Sequence, residues 1–275
     1  MKVLLTGRNG QVGAELHSRL RPQVATDHAT LDLADADAIR RLVREAKPDV
    51  IINAAAYTAV DKAEAEPELA MRVNGVAPAV LAEEAKRSGA LLVHYSTDYI
   101  FDGTKRTPYI EADQPKPLGV YGRTKLEGET RIRAAGCRHL ILRTAWVYGA
   151  GANFVRAILR QAEKSAPLRV VNDQFGAPTW ARDIARVTAD LLSKRAEGVF
   201  NVSAAGVASW YEVALEILWL AGRAVEVKSV TTAEYGANAA RPGYSVLDNA
   251  KLRATGVAPI GEWRARLAEY LESSA

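Results

Sequence analysis

Short aliphatic runs alternate along the first half of the chain with longer stretches in which apolar positions recur at helical spacing. That alternation predicts strand–helix–strand units around a parallel sheet. Val3–Thr6 reads as a first strand, and Gln11–Leu20 carries Val12, Leu16 and Leu20 on one helix face. Val24–Thr26 is a short second strand, and 35–46 a helix with Ile39, Leu42 and Val43 inward. Residues 49–53 (DVIIN) form a third strand, apolar on both faces as a doubly covered strand requires.

A helix is expected over 67–87, with Pro67 in its first turn and Gly89 as its stop. A fourth strand follows at 91–96. Gly103, Pro108, Pro115 and Pro117 make 101–118 a loop. A helix at 121–134 and a fifth strand, His139–Thr144, complete this half. Beyond Tyr148 the pattern loosens, with helices near 153–164, 181–194 and 210–221 and short strands at Leu168–Val171 and 199–202. No repeat period emerges, so a solenoid is not expected.

The expected fold is α/β, a Rossmann-type doubly wound parallel sheet with a smaller C-terminal substrate-binding lobe. Residues 1–148 would form the NAD(P)-binding domain. Residues 149–275 would be mainly the lobe, with some strands and helices returning to the first domain.

Composition removes several other classes. The chain has 275 residues, 48% hydrophobic and 25% charged, with Gly and Pro spread along it, which excludes disordered and collagen-like readings. Its net charge is +4, without the basic run of a nucleic-acid arm. The single cysteine, Cys137, allows no internal disulfide and fits a reducing compartment. The apolar stretch at the N-terminus is too short for a signal peptide, and no run has membrane-spanning length. These observations predict a soluble cytoplasmic protein with no nucleic-acid or membrane partner.

Gly7, Gly10 and Gly13 stand three apart between the first strand and the first helix, with Arg8, Gln11 and Val12 among them. Glycines there permit a tight turn and close approach of a pyrophosphate, which the first N–H groups of the helix then face. Asp27, twenty residues after Gly7, suits an adenosine ribose and favours NAD. Arg8 suits a 2′-phosphate and favours NADP. Both coenzymes are therefore expected, NADPH slightly preferred. Asp32 and Leu33 are placed to flank adenine.

Tyr121 and Lys125 form YxxxK, one face of a helix. Reducing a carbonyl needs a proton for the developing alkoxide, and a free phenol, with a pKa of about 10, is too weak an acid unless cations lower it. Lys125 and a nicotinamide ring are expected to do so. Thr97 supplies a hydroxyl for the same carbonyl oxygen.

These residues resemble the extended short-chain dehydrogenase/reductases, and within them the branch that completes dTDP-L-rhamnose synthesis. The likeness is carried by GRNGQVG (7–13), NAAAYTAVDKAE (53–64), YSTDYIFDG (95–103), YGRTK (121–125), RTAWVY (143–148), NDQFGAPT (172–179) and Arg241-Pro242. It implies NADPH- or NADH-dependent reduction of the C4 keto group of dTDP-4-dehydro-β-L-rhamnose. It also implies Tyr121 as proton donor, Lys125 on the nicotinamide ribose and Thr97 tuning the pair. Ala56, Tyr57, Thr58 and Tyr95 would line the cofactor; Thr97, Asp98 and Trp146 would touch the sugar. Asn153, Phe154, Gln174 and Arg241 would contact the nucleotide and diphosphate. A homodimer is expected of the family.

The dehydratases of this family carry an Asp and a Glu after the Thr; Tyr99 follows Thr97-Asp98 here, so elimination is not favoured. Two alternatives remain: a non-catalytic, NADP-binding regulatory subunit like the β subunit of methionine adenosyltransferase, and a reductase or epimerase of another nucleotide sugar. Asp61 and Lys62 read as a helix cap and a surface pair, and His94 as a core histidine. His17 and His28 have no cluster around them, so no metal is expected.

Overall fold

The computed structural model describes residues 1–164 and 167–274. Five strands of the first half, β1 (Val3–Thr6), β2 (Val24–Thr26), β3 (Val50–Asn53), β4 (Leu91–Thr97) and β5 (His139–Thr144), build a parallel sheet in the order β5-β4-β3-β1-β2. The chain runs from β1 to β2 on one side and returns to β3 on the other. That reversal opens a crevice at the carboxyl ends of β1 and β3, the place where doubly wound sheets bind ligands.

Alternation along each strand fills two cores. Leu4, Ile51, Leu92 and Ile141 pack one face against Ile39 and Val43 of α2 (Ala36–Ala46), Leu81 of α5 (Ala77–Ser88) and Ile132 of α6 (Val120–Ala135). Val3, Leu5, Val93 and Leu142 pack the other against Leu16 of α1 (Gln11–Leu20) and Ile184, Val187 and Leu191 of α8 (Ala181–Ser193). Asp35 caps α2, its carboxylate accepting from the N–H groups of Asp37 and Ala38. Gly89, at φ +75°, ends α5 as expected.

The helix expected over 67–87 is not regular. α4 (Pro67–Met71), after the short α3 (Val60–Ala63), runs into a π-turn over Arg72–Val76 before α5 begins. Pro78 is the reason: it has no N–H for a normal bond to the turn before it, and the wider turn accommodates that loss. The same turn aims Asn74 at the loop after β3, where its side chain accepts from Tyr57 N–H (2.9 Å) and donates to Tyr57 O (3.0 Å).

In the second half, β6 (Val147–Tyr148) pairs with β9 (Thr179–Trp180), β7 (Leu168–Val171) with β12 (Val227–Val230), and β8 (Phe175–Gly176) with β11 (Ala208–Ser209). α7 (Phe154–Ala162) packs on α9 (Trp210–Leu220) beside them. β10 (Gly198–Asn201) returns to the main sheet as a sixth parallel strand outside β5, and α8 packs on α1. β12, α10 (Thr232–Tyr235), α11 (Ala250–Ala254) and α12 (Trp263–Ser274) lie in a stretch whose sequence pattern is weak. Trp263, wholly buried, anchors α12.

Candidate active site

β1 delivers Gly7 at φ +77°, and the turn closes with Gly10 N–H on Gly7 O at 2.9 Å. A Cβ on Gly13 would lie 1.9 Å from the Gly7 carbonyl oxygen, and one on Gly7 2.7 Å from Ala55 N. The glycines are thus required by the packing of the loop onto α1 and onto the segment after β3. They leave the first N–H groups of α1 facing a cleft, where an anion is favoured.

That cleft is lined by Gly7, Asn9, Gly10, Gln11, Val12 and Asp27, by Ala54, Ala55, Ala56 and Thr58 after β3, by Tyr95 and Ser96 of β4, and by Tyr121 and Lys125 of α6. Among the described residues, Gln11 Oε1, Ser96 Oγ and Thr144 Oγ1 are buried in its walls without a protein partner. Buried polar atoms are nearly always paired. Three unpaired ones beside a glycine turn fit a polar, phosphate-bearing ligand such as a dinucleotide.

Arg8 and Asp27, expected to compete over the coenzyme, bind each other: Arg8 Nε and Nη2 donate to Asp27 Oδ2 at 3.0 and 2.8 Å, and Asn9 Nδ2 adds a bond of 2.9 Å. Hydrogen bonds from Thr30 and Arg8 hold the Asp27 carboxyl below its usual range. Asp32 and Leu33 differ from expectation. Asp32 closes a turn on Ala34 N–H (2.8 Å), and Leu33 is buried in the core with Leu4 and Ile39; neither lines the cleft. The Tyr57 ring also lies outside it, its hydroxyl donating to Glu66 at 2.7 Å.

Tyr121 and Lys125 share the inner face of α6, and Thr97 closes β4 opposite them. Burial pushes the Tyr121 phenol up to about 12, against the pull of the nearby Thr97 hydroxyl. This reverses the direction expected from YxxxK. The reason is geometric: Lys125 Nζ is turned onto the sheet, donating to Tyr95 O at 2.5 Å and meeting His94 Nε2 at 3.3 Å. Burial pushes Lys125 down to about 8, against the pull of Glu129. In this arrangement Tyr121 is held in the protonated state.

Asp98 is buried behind Thr97, accepting from Thr97 Oγ1 (3.1 Å) and Ser245 Oγ (2.5 Å); burial pushes its carboxyl up to about 7. Beyond it lies a second cleft, lined among others by Tyr99, Phe154, Gln174, Trp210, Thr232 and Arg241. Trp146, at the left-handed φ of +47°, stacks on Trp210 with ring centroids 3.6 Å apart. The Tyr99 ring, in the wall of this cleft, meets the Tyr121 ring, in the wall of the glycine-rich one, edge to face at 5.9 Å.

Asn153 is not in either lining; its carboxamide caps α7 through Arg156 N–H and donates to Gly149 O. Gln174 donates to Thr232 at 2.9 Å. Sequence reasoning missed Trp210, Ser96 and Thr144, and it set aside Asp61. Asp61 binds Arg241 through two bonds of 2.6 and 3.1 Å, tying α3 to the far wall of the second cleft. A hydroxyl or Trp in an apolar run carries no separate signal, and the Asp61 partner is distant in sequence. Among the described residues no three His, Cys, Asp or Glu side chains converge as metal ligands would.

A model of the family described as the RmlD substrate binding domain matches residues 1–275. The chain belongs to that family. A relative from Burkholderia thailandensis, named dTDP-4-dehydrorhamnose reductase, is 45% identical over 287 aligned positions that cover 96% of each chain. The solved dTDP-4-dehydrorhamnose reductase of Clostridium acetobutylicum superposes with a TM-score of 0.96 at 41% identity, covering 100% of this chain and 99% of that one. The enzyme of that name from Bacillus anthracis, solved in complex with NADP, gives 0.95 at 35% identity, covering 99% and 100%. The expected Rossmann-type fold and the resemblance noted above both hold.

Proposed function

We propose that this member of the family reduces the C4 keto group of dTDP-4-dehydro-β-L-rhamnose to dTDP-β-L-rhamnose with NADPH or NADH. The observation that carries the reading is the nearness of the two clefts: Tyr121 lines the glycine-rich cleft, and its ring meets edge to face that of Tyr99, which lines the Tyr99–Arg241 cleft.

Gly7, Gly10, Gln11, Ser96 and Lys125 would hold the coenzyme, which when bound supplies the hydride. The chain's own residues do the rest. Tyr121 would donate to the carbonyl oxygen, and the Thr97 hydroxyl could join it by turning its hydrogen away from Asp98. As that oxygen gains negative charge, Tyr121 passes it the phenolic proton, and general acid catalysis of this kind is worth about 10²–10⁴ in rate. Trp210, with Trp146 stacked on it, would present an apolar ring to a deoxysugar, and Arg169, Gln174 and Arg241 offer donors to a nucleoside diphosphate. In this reading residues 1–148 hold the coenzyme and 149–275 mainly the sugar nucleotide.

Among the described residues no helix is long and apolar enough to cross a membrane. The reading places the enzyme in the cytoplasm, and sedimentation equilibrium tests the expected homodimer. The reaction is tested by following nicotinamide absorbance while the keto sugar is generated by the preceding dehydratase and epimerase. Oxidation that yields dTDP-L-rhamnose and is lost in Tyr121→Phe supports it. Near wild-type turnover in that variant would sink it.

A further inference from the structure

A row of buried polar side chains crosses the sheet beneath the glycine-rich cleft. Thr6, Asn53 and His94 occupy matching positions on three adjacent strands, Thr6 opposite Asn53 and Asn53 opposite His94, and the row ends on Lys125. All four are at most 2% exposed. Burying polar groups is costly unless they are paired, and these pair only with one another and with the backbone.

The order of donors along the row follows from its chemistry. Thr6 Oγ1 donates to Asn53 Oδ1 at 2.7 Å, which turns the amide nitrogen toward His94 Nδ1 at 3.2 Å. An amide N–H can only donate, so Nδ1 accepts, and the neutral ring carries its hydrogen on Nε2. Burial holds His94 well below its ordinary range, hence neutral. Nε2–H then points at Lys125 Nζ, 3.3 Å away. A neutral amine can accept that hydrogen and still donate to Tyr95 O; an ammonium would set N–H against N–H.

We propose that His94 is a positioning residue for Lys125, fixing Nζ on the floor of the cleft through Nε2–H. The inference rests on Lys125 being the working lysine of the reaction above. The other groups facing this lysine are Tyr121 and Glu129 one turn away on α6, with Glu129 already bound to Arg143 of β5, and Tyr95 of β4. Among the described residues neither Tyr121 nor Glu129 hydrogen-bonds Nζ, and Tyr95 presents its carbonyl, its hydroxyl being paired with Thr188.

The test compares His94→Gln and His94→Leu with the wild type. The nitrogen-15 shift of Lys125 Nζ, assigned by its loss in Lys125→Met, is titrated in the full-length protein without coenzyme. Gln can turn its carbonyl oxygen to the ammonium, so the titration midpoint should rise by about one pH unit. In Leu, which offers Nζ nothing, kcat should fall roughly tenfold to a hundredfold as the amine loses its place, with Gln recovering most of it. A midpoint unmoved in Gln, with kcat of both variants at the wild-type value, would overturn the proposal. If Leu does not fold, Gln decides alone through the midpoint. Because that readout needs no turnover, it stands even where the reductase reading fails, which the Tyr121→Phe assay detects separately.

Discussion

Arg8 and Asp27 neutralise each other at the mouth of the glycine-rich cleft, through two guanidinium hydrogen bonds onto a single carboxylate oxygen. The residue suited to a 2′-phosphate and the residue suited to a ribose diol are therefore one unit, and neither acts alone. Removing one partner frees the other. Arg8→Ala should move the ratio of kcat/KM toward NADH and Asp27→Asn toward NADPH, each by about tenfold, the size of one charge-assisted contact. Steady-state kinetics with both coenzymes check this, and parallel losses with both would refute it.

Asp98 makes stability depend on pH. Its folded pKa is raised by burial from 3.8 to about 7, so the folded protein holds this proton more tightly than the unfolded chain. The stability it contributes is fully present below about pH 4 and lost as pH rises through about 7. Asp98→Asn, which stays neutral, should remove that dependence. The stability difference between wild type and variant should change by up to roughly 4 kcal/mol between pH 4 and 8, in favour of the variant at high pH. Urea unfolding at several pH values measures it.

The glycines of the turn should differ in tolerance. A methyl at Gly13 would meet the Gly7 carbonyl at 1.9 Å, backbone against backbone, whereas one at Gly10 would lie 3.3 Å from the same oxygen. Gly13→Ala should displace α1 from the turn, cost about 1–3 kcal/mol and abolish coenzyme binding; Gly10→Ala should bind several-fold more weakly but measurably. Thermal melts and fluorescence titration with NADPH would separate the two.

Glu129 and Arg143 form a bidentate ion pair with exposures of 0% and 1%, and Arg143 also donates to Glu111 O in the loop before α6. Glu129→Gln should cost about 3–5 kcal/mol by leaving a buried guanidinium without its counter-charge. The double change Glu129→Leu with Arg143→Met should cost less than that single one, a non-additivity that denaturant unfolding resolves.

Much of this architecture was legible in the chain. Val3–Thr6, Val24–Thr26, His139–Thr144 and Leu168–Val171 have the bounds expected of them, because each is an aliphatic run fenced by turn residues. Gly7, Tyr121 and Lys125 were legible because a tight turn and a helix face impose short spacings. Contacts between distant residues were not. Arg8 with Asp27, Asp61 with Arg241, and His94 with Lys125 each depend on which elements the fold sets side by side. The π-turn before Pro78 shifts the helical register by a single residue, too little to disturb an apolar pattern. Leu33 packs in the core and Asn153 caps α7, roles that sequence neighbours alone do not reveal.

β10 closes the main sheet only after the chain has passed through much of the second half. Until residues 198–201 emerge during synthesis, β5 presents an open row of N–H and C=O groups from His139 to Thr144. Such an edge recruits strands from other chains. The nascent protein is thus exposed to mispairing while some fifty residues beyond Tyr148 are made, and a fragment ending at 148 should aggregate where the whole chain does not. Late return of one four-residue strand makes the first half of the chain dependent on the second for its solubility.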